Sequence, residues 1–266
     1  PTVTKTPTAT RTPSATRVAT PTRTTTPTAT PTPVGWYNVT FQQGVNGYTG
    51  CKDVCIVSWF PDTNYDGGPN DHMQVRTNDQ LAGLIRFDVS SIPAHATVTR
   101  AMLSVYVDWR YVDRATNVEA YEVYREWIAA QATWNRATSS VLWGRPGCND
   151  TTTDRAAQPE YSVPMYLINQ WYDFHLTNLV QKWVSDPSLN RGLVFKAFGD
   201  APAAIEMVTS EHGGVWMHPK LTVNYTLPTS TPTATSTNTR WPYPPPPTAT
   251  GTPSVAAYLP LILRNR

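Results

Sequence analysis

Leu103-Ser104-Val105-Tyr106-Val107-Asp108 and, far along the chain, Leu221-Thr222-Val223-Asn224-Tyr225-Thr226 set Leu103, Val105, Val107 and Leu221, Val223, Tyr225 on one side, and the residues between them on the other. Successive side chains of a strand point to opposite faces, so each stretch reads as a strand with one face in a core and one toward water. Similar runs occur at 37–42, 54–59, 72–76, 84–88, 118–125, 171–176, 192–198 and 204–209. Turn chemistry separates them, as in Asp66-Gly67-Gly68-Pro69, Arg145-Pro146-Gly147 and Asn190-Arg191-Gly192. About ten short strands with this punctuation predict an antiparallel sandwich. One segment breaks the period: Leu179, Val180, Trp183 and Val184 fall on one helical face, with Thr177 as the expected N-cap and Asp186-Pro187 as the stop. The expected fold is all-β, an antiparallel jelly-roll β-sandwich with one short helix.

Composition changes sharply on either side of this region. Residues 1–35 repeat Thr-Pro-Thr-Ala-Thr and carry four basic groups and no acid; from Pro228 onward three more basic groups appear, again without acid. All 19 acidic residues therefore lie between, against 21 − 7 = 14 basic ones, a net charge of −5. A mildly acidic middle with singly spaced cations in the tails offers no basic face for nucleic acid. The flanks have too little apolar surface to offset the entropy of ordering a core, and their prolines favour extended polyproline II. Thr/Pro density also suits O-glycosylation, with Thr8, Thr28, Thr231 and Thr233 as representative acceptors. The expected organisation is a glycosylated extended segment at 1–35, a β-sandwich domain at 36–227, a Thr/Pro linker at 228–254 and a short apolar end at 255–266. No stretch approaches the ~20 apolar residues needed to cross a bilayer. The chain starts at Pro1 with neither Met nor a signal peptide, so the export signal is expected outside it.

Leu84-Ile85-Arg86-Phe87-Asp88-Val89-Ser90-Ser91-Ile92-Pro93, Ala96-Thr97-Val98 and Leu103-Ser104-Val105-Tyr106 resemble the DNRLRE-type family, which is related to the disaggregatase-associated and alginate-binding carbohydrate-binding modules. Ala132-Thr133-Trp134-Asn135, Leu179-Val180-Gln181-Lys182-Trp183-Val184, Gly192-Leu193 and Pro219-Lys220-Leu221-Thr222-Val223-Asn224-Tyr225 follow in the same order. The resemblance spans nearly all of Trp36 to Leu227. It implies a jelly-roll sandwich in secreted multidomain proteins, often beside polysaccharide-active enzymes.

The chemistry-bearing residues are sparse. No nucleophile elbow, phosphate-binding glycine loop or His-Glu-x-x-His pair occurs, and the five His are scattered. The carboxylate pairs Glu119 with Glu122 and Glu206 with Glu211 could in principle serve glycoside hydrolysis, but charge on the surface of a strand is the better account of them. No catalytic residue is expected, and the chain is not expected to be an enzyme. Aromatic rings stack on the apolar faces of sugars, which makes Trp59, Trp109, Tyr111 and Tyr121 candidate carbohydrate contacts. Trp127, Trp134, Trp143 and Trp183 sit in scaffold-like blocks and are expected in the core.

The loop 62–71 is dense in oxygen ligands, so Asp62, Asn64, Asp66 and Asp71 are candidate calcium ligands, although turns prefer the same residues. An odd cysteine count leaves the pairing open. If Cys51 and Cys55 lie on one strand they are too far apart to bond, which favours a Cys51–Cys148 disulfide and leaves Cys55 buried and free. Sequons place candidate N-glycans at Asn38, Asn149 and Asn224.

The only apolar piece in either flank is 255–263, where Leu259, Leu261 and Leu263 alternate as in a strand. Added to an open sheet edge of another copy, such a segment would build a head-to-tail fibre. The expected function is a non-catalytic extracellular structural protein, a subunit of a surface filament or layer. The alternative is a carbohydrate-binding or adhesive module of a secreted protein, with extracellular polysaccharide as partner.

Overall fold

A computed structural model describes residues 33–66, 71–199 and 202–228. The Thr/Pro flanks, with Thr8, Thr28, Thr231, Thr233, Leu259, Leu261 and Leu263, lie outside these described residues.

Twelve strands are all paired antiparallel: β1 (Pro33–Gln42), β2 (Cys51–Val57), β3 (Tyr65–Asp66), β4 (His72–Arg76), β5 (Leu81–Phe87), β6 (Thr97–Arg110), β7 (Thr116–Glu122), β8 (Tyr161–Met165), β9 (Gln170–His175), β10 (Leu193–Phe198), β11 (Ala204–Val208) and β12 (Lys220–Pro228). One short helix, α1 (Thr177–Ser185), interrupts them. The all-β class and the single helix agree with the sequence reading. The strands join into one sheet curled on itself.

β6, at 14 residues, is the spine. Along one edge it pairs β12 through Thr97–Ser104 and then β11 through Val107–Arg110. Along the other it pairs β9 through Met102–Val107. β11 passes to β4, and the β4–β5 hairpin carries the sheet to its second half, β2-β5-β10-β7-β8. The hairpin turns on Asn78 (φ 60°) and Asp79 (φ 52°), residue types that tolerate the left-handed region. The two halves pack closely, because a Cβ at Gly83 of β5 would come within 2.1 Å of Met73 Cγ on β4.

The alternation seen in sequence fills this interior. Leu103, Val105 and Val107 meet Ile85, Phe195, Phe174, Leu221 and Val223, all buried. Helix α1 adds Leu179, Val180, Trp183 and Val184 to the same core. Its N-cap is Leu176, one residue before the expected Thr177. Thr177 Oγ1 instead accepts from the Ala101 N–H at 3.1 Å, so the hydroxyl ties the helix to β6.

A second core lies on the outer face of the β2-β5-β10-β7 half. Residues 123–160, between β7 and β8, fold over it with few regular elements. Trp127, Trp134, Trp143, Ala132 and Cys148 bury Val54, Ile56, Leu84, Tyr121 and Val194 beneath them. The cover is pinned by Asp154, whose side chain is fully buried. Its Oδ1 accepts from Arg125 Nε (2.7 Å) and the Gly144 N–H (2.8 Å); its Oδ2 accepts from the N–H groups of Arg145 (3.0 Å) and Asp150 (3.1 Å). Burial opposes the charge, but the Arg125 guanidinium and these backbone donors outweigh it and hold the Asp154 pKa below its ordinary value. Trp127 and Trp143 indole N–H groups donate to the carbonyls of Arg191 (2.7 Å) and Thr133 (2.9 Å), so the rings are fixed as well as buried.

Candidate functional site

With one half of the curled sheet covered, the other half, β9-β6-β11-β4, presents an open outer face. Its shape begins with an irregularity. Glu206 pairs Trp109 and Met207 pairs Val107, which leaves Asp108 as an extra residue on β6. A bulge of this kind puts two successive residues on one side, here Asp108 and Trp109. Asp108 Oδ2 meets His72 Nε2 at 2.7 Å, and Glu206 Oε1 accepts from Gln74 Nε2 at 2.7 Å. Burial, with Asp108 beside it, raises the Glu206 pKa against the lowering effects of His72 and Gln74.

Beyond these polar pairs the rings begin. Trp109 (45 % exposed) and Tyr111 (54 %) at the end of β6 meet Trp59 (52 %), from the loop after β2, beside Arg76. The Arg76 guanidinium carbon lies 4.7 Å from the Tyr111 ring centroid and 5.4 Å from that of Trp59. Its Nε donates to Gln80 Oε1 at 2.8 Å. Trp109 and Tyr111 centroids are 6.5 Å apart at 48°. Guanidinium–ring stacking of this type holds exposed aromatics in place without burying them. The structure therefore brings together three of the four aromatic residues singled out from sequence.

A second ring group sits further along the same face. Tyr106 meets Trp171 edge-on at 5.3 Å and Trp216 at 5.2 Å, and Lys220 Nζ lies 4.0 Å from the Trp171 ring. Trp216 is the most exposed of these, at 63 %. Tyr106 and Trp109 are three residues apart on β6, about 10 Å in strand rise. Sequence reasoning missed Arg76, Tyr106, Trp171 and Trp216. The glycine-flanked Gly213-Gly214-Val215-Trp216 was the available signal, since a tryptophan in so turn-rich a loop has little core to enter.

Several expectations are corrected. Tyr121 is 5 % exposed, buried under the cover with Arg155 over its ring at 4.1 Å, so it offers no face to a ligand. No disulfide forms: Cys51, Cys55 and Cys148 are all free and buried. Cys51 lies in the core between the sheet halves and Cys148 in the core under the cover, so the sheet itself separates them. Burial pushes the Cys55 and Cys148 thiols up to about 12, which suits inert core residues.

In the loop with the candidate calcium ligands, two of the four have protein partners. Asn64 Nδ2 donates to the carbonyls of Ala129 and Ala132, both at 2.7 Å, and its Oδ1 accepts from the Asp66 N–H; Asp62 Oδ1 accepts from Asn135. The loop is a strap between β2 and the cover. Among the described residues no group of three or more His, Cys, Asp or Glu is placed to hold a metal ion, and residues 67–70 of the loop lie outside them. The sequon asparagines are engaged too. Asn38 and Asn224 are opposite each other on β1 and β12, with Asn38 Nδ2 donating to Asn224 Oδ1 at 2.5 Å. Asn149 Nδ2 donates to Asp79 Oδ2 (2.6 Å) and Pro146 O (2.7 Å).

Neither carboxylate pair assembles. Glu119 binds Tyr121 Oη and Asn117, while Glu122 binds Lys182 at 2.5 Å; the two lie three positions apart on β7, on opposite faces. Glu211 leaves Glu206 and faces Asp53, a fully buried acid that accepts from the Ser210 N–H at 3.0 Å. Burial and the Glu211 charge raise Asp53 to about 8. No helix among the described residues is long and apolar enough to cross a membrane.

No curated protein matches the chain. Residues 69–223 match the family of the disaggregatase related repeat domain. That span is more than half of the chain and includes β4, β6, β9 and β11, which build the open face, together with the whole cover; Trp59 falls before it. The order of blocks seen in sequence, the curled antiparallel sheet and this match agree, and the chain belongs to the disaggregatase-related repeat domain family.

Proposed function

We propose that this chain is a non-catalytic, extracellular carbohydrate-contacting domain of a larger secreted protein, and that it binds glycan on the open face of β9-β6-β11-β4. The observation that carries the reading is the convergence of Trp59, Trp109 and Tyr111 beside Arg76, with the ring group of Tyr106, Trp171 and Trp216 farther along β6. Trp59 and Tyr111, held by Arg76, and the exposed Trp109 and Trp216 supply apolar faces for sugars, while the buried Tyr106 braces Trp171 and Trp216. The intervening His72–Asp108 and Gln74–Glu206 pairs supply hydroxyl partners. The separation of the ring groups suits an extended chain lying along β6 better than a single sugar. Isothermal titration against a panel of soluble polysaccharides tests this. A glycan that binds should lose at least tenfold in affinity with W109A/Y111A, since two ring contacts are removed. A panel that shows no binding, or binding indifferent to these changes, refutes it.

A second reading, a subunit of an extracellular filament or surface layer, is favoured by the edge of the sheet. β1 pairs β12 on one side, and among the described strands no partner covers its other side. A groove of about 520 Å³ runs beside that edge, lined by residues 38–41 of β1 together with Val45, Tyr48 and Ser91. Open edges of this kind template strand addition between copies. Filaments seen by electron microscopy of purified chain, lost on a Val39→Pro change that blocks the edge, would favour this reading over the first. Glycosylation of the Thr/Pro flanks belongs to both readings; an intact mass of 29.5 kDa from the native source would exclude it.

A further inference from the structure

On the covered half of the sheet, where the 123–160 cover ends, an open cleft of about 420 Å³ remains. Three segments bound it: the β4–β5 turn with Asn78 and Asp79, the cover residues Arg145 to Arg155, and the end of β10 from Lys196 to Gly199. Its chemistry is unlike that of the aromatic face. Lys196 projects from the sheet into the cleft floor and is almost entirely buried. Its Nζ donates to Asp79 Oδ1 (2.7 Å) and Gly147 O (2.6 Å). The same Nζ lies 5.3 Å from the Trp134 ring centroid, so an indole face meets the ammonium as well. Arg155 comes in from the cover, stacked at 4.1 Å over Tyr121, with Nη1 donating to Ala156 O at 2.8 Å. Its Nε is buried and has no partner, and Arg155 forms no ion pair. Arg145 stands exposed at the mouth without a carboxylate partner.

Asp79 pairs with Lys196 at 2.7 Å, and among the described residues the nearby acids leave only the two arginines without an ion pair. Asp79 is shared between Lys196 and Asn149, and Glu119 is held by Tyr121 Oη and Asn117. Burial, with Arg155 adding to it, lowers the Lys196 pKa against the effect of Asp79. A cleft bordered by two guanidinium groups without ion pairs, Arg145 and Arg155, with the Lys196–Asp79 pair at its floor, is complementary to a small group with several acceptor oxygens and negative charge. Planar guanidinium forks present paired N–H donors that match the oxygens of sulfate and phosphate.

We infer that this cleft is an oxyanion site, formed by Arg145, Arg155 and Lys196, that takes a sulfate or phosphate group. The site is separate from the aromatic face and does not depend on the carbohydrate reading. The group could be a free ion or an ester on a polymer, and the same cations serve both.

The test is a titration of the purified chain at low ionic strength with sodium sulfate and sodium phosphate, followed by calorimetry and by the Asn149 side-chain amide signal in NMR. Dextran sulfate and unmodified dextran form a second arm. Saturable binding of the inorganic ions, weakened at least fivefold by R145Q and by R155Q and by added salt, is expected. Arg145 is exposed, so R145Q should fold as the parent, and unchanged thermal melting confirms that the loss is local. Tighter binding of dextran sulfate than of sulfate, also lost in both variants, identifies an ester as the ligand; equal binding identifies the free ion. Absence of saturable binding by both ions and by dextran sulfate overturns the inference. So does affinity unchanged in both variants, or dextran binding equal to dextran sulfate. Because inorganic ions carry no sugar ring, failure here leaves the aromatic-face reading untouched.

Discussion

Replacing Asp154 by Asn probes the cover more directly than any tryptophan change. The carboxylate is fully buried and its two oxygens receive one guanidinium and three backbone N–H groups within 3.1 Å, with Thr153 Oγ1 at 3.3 Å. Asparagine keeps the volume but turns one oxygen into an NH2 group, which must point at donors. Hydrogen bonds to a charged group contribute about 1.5–3 kcal/mol each, and a stranded buried donor costs about 1–3 kcal/mol. The terms share one acceptor and do not add. A loss of about 4 kcal/mol is the reasonable total, and it can be no larger than the free energy of letting the cover detach. The assay is urea unfolding followed by tryptophan fluorescence, since Trp127, Trp134 and Trp143 lie beneath the Asp154 network. A red-shifted emission before the main transition would show the cover leaving first. The sign with pH is also fixed. The folded pKa is depressed, so this stabilisation is present above the ordinary aspartate value of about 4 and is lost as pH falls through the folded value. The gap between parent and D154N should therefore close in acid. A D154N variant within about 1 kcal/mol of the parent at pH 7 would refute the claim that this carboxylate holds the cover.

Three further outcomes follow from the structure. Asp53 has its pKa raised to about 8, so folding favours its protonated form; stability should be full below about pH 4 and fall as pH rises toward 8. D53N keeps an acceptor for the Ser210 N–H and should flatten that slope, and urea midpoints from pH 5 to 9 measure it. Gly192 adopts φ +72° and a Cβ there would sit 2.1 Å from the Ile85 carbonyl, so G192A should cost at least ~3 kcal/mol in denaturant unfolding or prevent folding; a near-neutral change would contradict the backbone described. All three thiols are buried, so native protein should resist a thiol reagent such as DTNB and release three equivalents only on denaturation without reductant; one equivalent would restore the disulfide.

The strands were legible because period-two alternation maps directly onto faces, as in Leu103, Val105 and Val107. The helix was legible from Leu179, Val180, Trp183 and Val184. The cover was not, because 123–160 buries its tryptophans through indole and carboxylate hydrogen bonds instead of a repeating pattern. That gap explains two misreadings. Tyr121 alternates as an outward residue of β7, and only the cover makes outward mean buried. Cys51 and Cys148 looked pairable because nothing local shows a sheet lying between them. For the open face, the ring types were visible, but their meeting depends on β4 and β6 flanking β11, which lies far from both in sequence. Arg76 carries no local mark of its role at all.

The pairing of β1 with β12 sets how the domain responds to tension. Pro33 lies opposite Pro228, and Gln42 opposite Lys220, so the chain enters and leaves the sheet at one end of a single antiparallel ladder. Force applied through the two flanks would arrive at that end and open the ladder rung by rung, like a zipper, instead of shearing all its hydrogen bonds at once. The first rung is poor, since neither proline has an N–H and the register shifts between Pro33 and Trp36. The first firm resistance is the stack of Tyr37 on Tyr225, centroids 5.1 Å apart at 13°. Once past it, β1 can peel away to Val39, which packs against the core, and then to Phe41, the first of its side chains fully buried there, while the sheet built on β6 stays intact. Held between two tethers, the domain would yield early and by a small step, acting as a compliant link instead of a rigid strut.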